Sequence, residues 1–283
     1  MGILNITPDS FSDGGVCATP VAAVERGRKL LADGADLLDI GGESTRPGAD
    51  PVPAEAEAER VLPVIAALRE TFPETPLSID THKADVADAA VAAGADLIND
   101  VWGGLHGLGP EARFAWREAV ARDASTADLP ASPMAAVAAR RGCPIILMHN
   151  REERRYGDFW PDLLLDLRVC LALARAAGVP ARQIWLDPGF GFGKEPHHNL
   201  EVMKELDRIT SLGFPVLLGT SRKSTLGLVL DKPVDQRTAG TGATAVWGVA
   251  KGCRMIRLHE PAEARDEIRM ADAIREGLRF QHG

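Results

Sequence analysis

Polar residues in this sequence gather at the ends of short apolar runs. Asn5 lies in the run Ile3–Ile6, Asp80 follows Leu77–Ile79, and Asn99-Asp100 follows Leu97–Ile98. His149-Asn150 follows Ile145–Met148, and Asp187 follows Ile184–Leu186. Val216–Leu218 leads into Gly219-Thr220-Ser221-Arg222-Lys223-Ser224, and the last run alternates Arg257 with His259. Any one of these is as readily a helix cap as a reactive group, Asp80 before Thr81 being an example. Seven in the same position relative to their runs read as one site.

Two chemistries are represented. Ser221-Arg222-Lys223-Ser224 and Arg257-x-His259 combine guanidinium, ammonium, imidazole and hydroxyl groups, which suits the oxygens of a diphosphate. Asp80, Asn99 and Asp187 form a carboxylate and amide trio that can grip a flat heterocycle with a guanidine-like edge. General acid and base catalysis by the two Asp is the rival use, and spacing alone does not separate the two. Two loops rich in Gly, Ser and Pro, at 7–15 and 41–48, follow strand-like runs and read as lids over the same rim.

The elements that must position these groups repeat. Eight apolar runs of strand length are bounded by Gly, Pro or polar residues, with Leu37–Ile40 and Met255–Leu258 completing the set. Between them, Val61, Val64, Ile65 and Leu68 keep a helical period, as do Leu164, Leu167, Leu171 and Ala174, and Val202, Leu206 and Ile209. Asp33-Gly34-Ala35-Asp36 and Ala93-Gly94-Ala95-Asp96 each close a helix and open a strand, and Thr238–Ala250 reads as a buried helix. Eight such units predict an α/β chain folded as a single-domain TIM (β/α)8 barrel over 1–283. The alternative is an open doubly wound sheet, which the missing early G-x-G-x-x-G disfavours. The fourth unit is long, with an insertion expected at about 105–142.

Composition narrows the function classes. A formal net charge of −8 argues against nucleic acid and anionic membranes as partners and leaves small-molecule substrates. No apolar stretch reaches membrane-spanning length, and the start lacks a basic leader. The four Cys, at 17, 143, 170 and 253, have no CxxC spacing, so a reduced, cytoplasmic setting is the expectation.

Along its whole length the chain resembles the dihydropteroate synthases of the pterin-binding TIM-barrel family. The motifs are GILNITPDSFSDGG at 2–15, GGESTRPGA at 41–49, SID at 78–80, IND at 98–100, LDPGFGFGK at 186–194, GTSRKS at 219–224 and RLH at 257–259. The resemblance implies condensation of dihydropterin-hydroxymethyl diphosphate with 4-aminobenzoate in folate biosynthesis, with sulfonamides as competitors. It implies that Asp80, Asn99, Asp187 and Lys223 hold the pterin, with Met148 and Phe192 on its faces and Thr45 contributing from the second loop. Arg257, His259 and Asn5 would hold the diphosphate and its magnesium, Asn5 as the metal ligand. Phe11, Pro47, Ser221 and Ser224 would shape the aminobenzoate pocket, and Asp13, Arg46 and Lys223 would act catalytically in an SN1-like displacement. A homodimer through the later helices is implied as well.

Three features depart from the familiar pattern: the chain starts almost at strand one, Trp102 stands where a small hydroxyl residue is expected, and Glu260 stands where Asp is commoner. Two other functions compete, a pterin-binding methyltransferase and a catalytically silent homologue. The first has no need of both basic clusters, and the second has no need of Asp13, Arg46, Lys223 and Arg257 together.

Overall fold

A computed structural model describes residues 1–6, 19–44 and 50–277. Five expected site residues, Phe11, Asp13, Thr45, Arg46 and Pro47, lie outside these, as do the whole first expected lid and residues 45–48 of the second. The strands are β1 Gly2–Asn5, β2 Leu38–Gly41, β3 Leu77–Asp80, β4 Leu97–Asp100, β5 Ile145–Met148, β6 Ile184–Asp187, β7 Leu217–Leu218 and β8 Met255–Ile256. The helices are α1 Pro20–Ala32, α2 Ala54–Thr71, α3 Ala84–Ala92, α4 Pro110–Ala121, α5 Pro133–Arg141 and α6 Phe159–Ala176. Then come α7 Pro196–Lys204, α8 Asp207–Thr210, α9 Ser224–Leu230, α10 Thr238–Ala250 and α11 Arg265–Glu276. Among the described residues, no helix is long and apolar enough to cross a membrane.

The strands close into a ring. β1 to β6 pair in chain order, all parallel, and β7 pairs with β8. Parallel bridges from Leu186 to Val216 and from Gly2 to Leu258 join the two sheets at both seams. At the second seam the Ile3 N–H donates to the Leu258 carbonyl and the Leu258 N–H to the Met1 carbonyl, each at 2.9 Å. An open sheet would leave β1 and β8 apart, so the barrel expectation holds.

Strand alternation then sorts every side chain. Leu4, Leu38, Ile40, Leu77, Ile79, Ile98, Ile145, Leu147, Leu186 and Leu218 face outward into the main core beneath the helices. The inward face begins with an apolar floor of Met1, Ile146 and Leu217, flanked by Leu37, Leu97, Trp185 and Met255. Two residues beyond Leu37, Leu97, Trp185 and Met255 the interior turns polar, at Asp39, Asn99, Asp187 and Arg257. In-register pairing puts Asn5, Gly41, Asp80 and Asn99 on one rung, with Asp39 and Ser78 on the rung below that faces the same way. The site is the upper half of the barrel's own inward face.

Helix ends follow the sequence signals. Gly34 and Gly94 stop α1 and α3 with φ of 98° and 121°, values glycine adopts without steric penalty. Val202, Leu206 and Ile209 are all buried, yet they span α7 and α8 rather than one helix. The long fourth unit holds two helices. α5 packs against α3 and α6 in the ordinary barrel position, while α4 lies against α6 as an addition. Trp116 anchors α4 in a satellite core with Leu108, Val169 and Leu173, and its Nε1–H donates to the Pro130 carbonyl at 2.9 Å. Trp116→Ala is expected to lower stability by about 3–5 kcal/mol in urea denaturation, the usual loss for a buried large aromatic.

Candidate active site at the barrel mouth

The centre of the polar layer is Arg257, whose side chain is 19% exposed. Its Nε donates to Asp39 Oδ2 and its Nη2 to Asp80 Oδ2, both at 2.6 Å. Asn99 Nδ2 donates to the same Asp39 oxygen at 3.0 Å. One guanidinium therefore joins β8 to β2 and β3, and Asp39 joins it onward to β4. Asp39 Oδ1 and Asp80 Oδ1 are buried and have no hydrogen-bond partner among the described residues. Buried acceptors of this kind are rare in folded proteins, and a ligand's donors are one way to satisfy them. Burial pushes the Asp80 carboxyl up, with Arg257 opposing.

The other wall comes from β6 and β7. Asp187 ends β6 and its Oδ1 accepts from the Gly189 N–H at 2.7 Å. Burial raises its carboxyl as well, against that hydrogen bond and the charges of Lys223 and Lys194. Met148 is buried and pairs in register with Asp187. The Lys223 ammonium lies 3.9 Å from the centre of the Phe192 ring, a cation–π contact. Burial pushes Lys223 down to about 8, while Asp187 and Asp80 pull the other way. A half-buried ring beneath a cation, next to two buried carboxylates, presents a flat apolar face with a charged edge.

On the loop after β7, the buried Ser221 Oγ accepts from the His259 N–H at 3.2 Å and lies 3.0 Å from His259 Nδ1. Ser224 opens α9 and is exposed. Asn5 is exposed at the end of β1, and a Cβ on Gly41 would lie 3.8 Å from its Oδ1 and 3.6 Å from Asp80 Oδ2. Arg222 does not join the basic cluster expected here. Its backbone is left-handed, with φ of 56°, and its Nη2 donates to Glu263 Oε1 at 3.0 Å.

Sequence reasoning missed four contributors. Asp39 and Ser78 sit inside apolar runs rather than after them, and period-two alternation with Gly41 and Asp80 was the signal that could have found them. Lys83 joins Glu43, near the start of the second glycine-rich segment, to the fully buried Glu57 of α2. Lys194 closes the 186–194 motif, and burial pushes it down to about 7.

With this geometry in place, comparison with known proteins is decisive. The family model described as pterin binding enzyme matches residues 1–259. The chain belongs to the dihydropteroate synthases of the pterin-binding enzyme family. A relative from Bacillus subtilis named dihydropteroate synthase is 45% identical over all of this chain and 90% of its own length. A crystal structure of the dihydropteroate synthase from Clostridium difficile in the presence of pteroic acid aligns with TM-score 0.84 and 39% identity, over 97% of this chain and 95% of that one. The Xanthomonas albilineans enzyme with 4-aminobenzoic acid aligns at 0.83 and 39%, over 98% and 92%.

The two departures within the described residues have structural partners in this dihydropteroate synthase family member. Trp102 is half-buried, its N–H donates to Asp100 Oδ1 at 2.9 Å, and the Arg113 guanidinium of α4 lies 5.8 Å from its ring centre. The added helix thus sets one cation against its ring. Glu260 pairs with Arg26 of α1 at 2.8 Å, and Arg26 also donates to the His259 carbonyl at 2.8 Å. That pair and Lys29 hold the Glu260 carboxyl below its ordinary range despite partial burial.

The donor set fits magnesium in one particular manner. Among the described residues no group of three or more His, Cys, Asp or Glu forms a metal cage. Magnesium characteristically takes one or two protein oxygens and completes its shell with water and substrate phosphate. A single exposed amide oxygen at Asn5, beside Asp80, is compatible with that arrangement.

The 186–194 motif needs glycine for a specific reason. Gly189 has φ of 66°, and a Cβ there would run into the His149 carbonyl. Gly189→Ala is expected to cost about 1–3 kcal/mol for the backbone conformation alone, with the clash in addition. Thermal melting and pteroic acid titration should both worsen; an unchanged melt would mean the loop can be rebuilt without glycine.

Proposed function

We propose that this chain is a transferase that condenses (7,8-dihydropterin-6-yl)methyl diphosphate with 4-aminobenzoate, giving 7,8-dihydropteroate and diphosphate in folate biosynthesis. The observation that carries the reading is the inward rung of Asp80 and Asn99 facing Asp187, with the unpartnered Asp80 Oδ1 buried among them. Carboxylates there accept from the donors of the pterin's guanidine-like edge, and Asn99 completes the polar wall. Phe192 and Met148 take the ring faces. Lys223, over Phe192, offers a cation to the ring's acceptor side.

The displacement breaks the bond between the exocyclic carbon and the diphosphate oxygen, which leaves with the electron pair. The amine nitrogen of aminobenzoate then bonds to that carbon and releases its proton. Donors aimed at the departing oxygens lower the barrier. Here these are Arg257, held with its Nη1 outside the two carboxylate pairs, and His259 beside Ser221. Magnesium, held by Asn5 and the substrate's own phosphates, would supply further charge neutralisation of the leaving group. Phe11, Asp13, Thr45, Arg46 and Pro47 are assigned to the second substrate and the developing cation on resemblance, with Ser221 and Ser224 at its pocket.

A homodimer in the cytoplasm belongs to the same proposal. Leu200, Leu228, Val229 and Trp247 expose apolar side chains on α7, α9 and α10, as an interface through the later helices requires. Cys143, Cys170 and Cys253 are buried and free, consistent with a reducing compartment.

The direct test is an assay of purified protein with both substrates, expecting diphosphate release that depends on aminobenzoate; no release refutes the reading. Asp80→Asn and Asp187→Asn should each weaken pterin binding by about ten- to a hundredfold, from the roughly 1.5–3 kcal/mol of a charge-assisted hydrogen bond. Circular dichroism should show the fold retained, and calorimetry with unchanged affinity in both variants would sink the assignment. Lys223 is depressed, so its cation is present below about pH 8 and lost above it. The kcat/KM for pterin diphosphate, which reports the free enzyme, should therefore fall through about pH 8. Lys223→Arg should carry that limb to higher pH, whatever its effect on the maximum.

A further inference from the structure

The loop that carries Phe192 is pinned from beneath by a side chain to which the reaction scheme gives no task. Lys194 is 3% exposed, and its Nζ lies 2.7 Å from His149 Nδ1 and 3.1 Å from each of the Gly189 and Phe192 carbonyls. An ammonium has three hydrogens and no acceptor, so three acceptors satisfy it completely. The direction of these bonds follows from the far side of the imidazole. His149 Nε2 is 3.2 Å from Asp166 Oδ2, which also accepts from Arg151 Nε at 2.6 Å. Asp166 Oδ1 pairs with Arg117 of α4. A carboxylate between two guanidinium groups stays ionised and can only accept. The His149 proton must therefore sit on Nε2, which leaves Nδ1 a lone pair facing Lys194.

We propose that Lys194 is a positioning residue for the pterin pocket, which fixes the Gly189–Phe192 turn, and with it the Phe192 ring, through a bond whose direction is set by His149 and Asp166. The other ties of the turn are the Gly189 N–H to Asp187 Oδ1 at 2.7 Å, the Gly191 N–H to Asn199 Oδ1 at 2.7 Å, the Phe192 N–H to the Gly189 carbonyl at 3.0 Å and the buried Phe190 ring. Lys194 adds a single point that holds the carbonyls at both ends of the turn, Gly189 and Phe192. Because the added helix supplies Arg117, α4 is joined by the same bonds to the ring-stacking loop. This inference rests on the pterin reading above for what the pocket holds.

Two measurements test it. Nitrogen-15 NMR of the unsubstituted protein should show His149 as the neutral tautomer protonated at Nε2; a proton on Nδ1 would overturn the proposal, and this needs neither a variant nor turnover. Lys194→Met keeps the length and removes all three donors. In that variant the KM for pterin diphosphate should rise about tenfold, the loss of a charge-assisted bond, while the KM for aminobenzoate stays within about twofold. Circular dichroism checks the fold. A variant with both KM values unchanged and only the active fraction lowered would make Lys194 merely structural. If it does not fold, the tautomer decides. Absence of turnover in the unsubstituted protein would refute the pterin reading itself, a result separate from either of these.

Discussion

Two carboxylates and a guanidinium share the inside of the barrel, where an ionised group removed from water is costly unless paired and hydrogen-bonded. Asp39, Asp80 and Arg257 meet that condition together: each carboxylate faces the guanidinium at 2.6 Å, and Asn99 adds a donor to Asp39. The strands depend on this arrangement. Their inward side chains cannot be apolar at this level without closing the pocket, nor polar without mutual satisfaction. Below it lies the floor of Met1, Ile146 and Leu217; above it lie the ends of the strands. The pocket occupies the narrow interval between a packed interior and open solvent.

The same compromise recurs around the rim. Lys223 and Lys194 are both pushed down by burial, and Asp187 is pushed up, because each lies within the wall rather than on it. Short backbone turns make such depth possible. Gly189 lets the chain after β6 pass against the His149 carbonyl, and left-handed Arg222 lets the chain after β7 turn under α10 to the Thr241 hydroxyl at 3.1 Å. Both strand-end loops use backbone conformations that few residues favour.

Much of this was legible in the sequence for one reason. Parallel strands buried on both faces appear as apolar runs, and a polar residue terminating such a run can be counted directly. Asp80, Asn99 and Asp187 were found in that way, and Arg257 by its alternation with His259 in the last run; the structure places them in one layer. Asp39 escaped because it interrupts a run, and its meaning depends on which neighbour faces it. Arg257 was expected to serve an anion alone; its pairing with two acids depends on the ring closing, a fact of three dimensions. Lys194 escaped for a similar reason: its partners are on another strand and on its own backbone. The long fourth unit was visible as length, but not as one ordinary barrel helix plus one addition, because both have helical periods. Val202, Leu206 and Ile209 kept one period across a break because burial, not helix continuity, selects apolar residues.

The closing of the ring has a consequence in time. The Ile3 N–H donates to the Leu258 carbonyl at 2.9 Å, so the first strand is completed by the last. The counter-charge of Asp39 is 218 residues downstream of it, and that of Asp80 is 177. A chain emerging from the ribosome therefore makes its two buried acids long before the cation that lets them be buried. Until Arg257 arrives, those strand ends must remain hydrated, so the half-built barrel stays open at the end that will bind substrate. The final strand both closes the wall and permits the interior to dry.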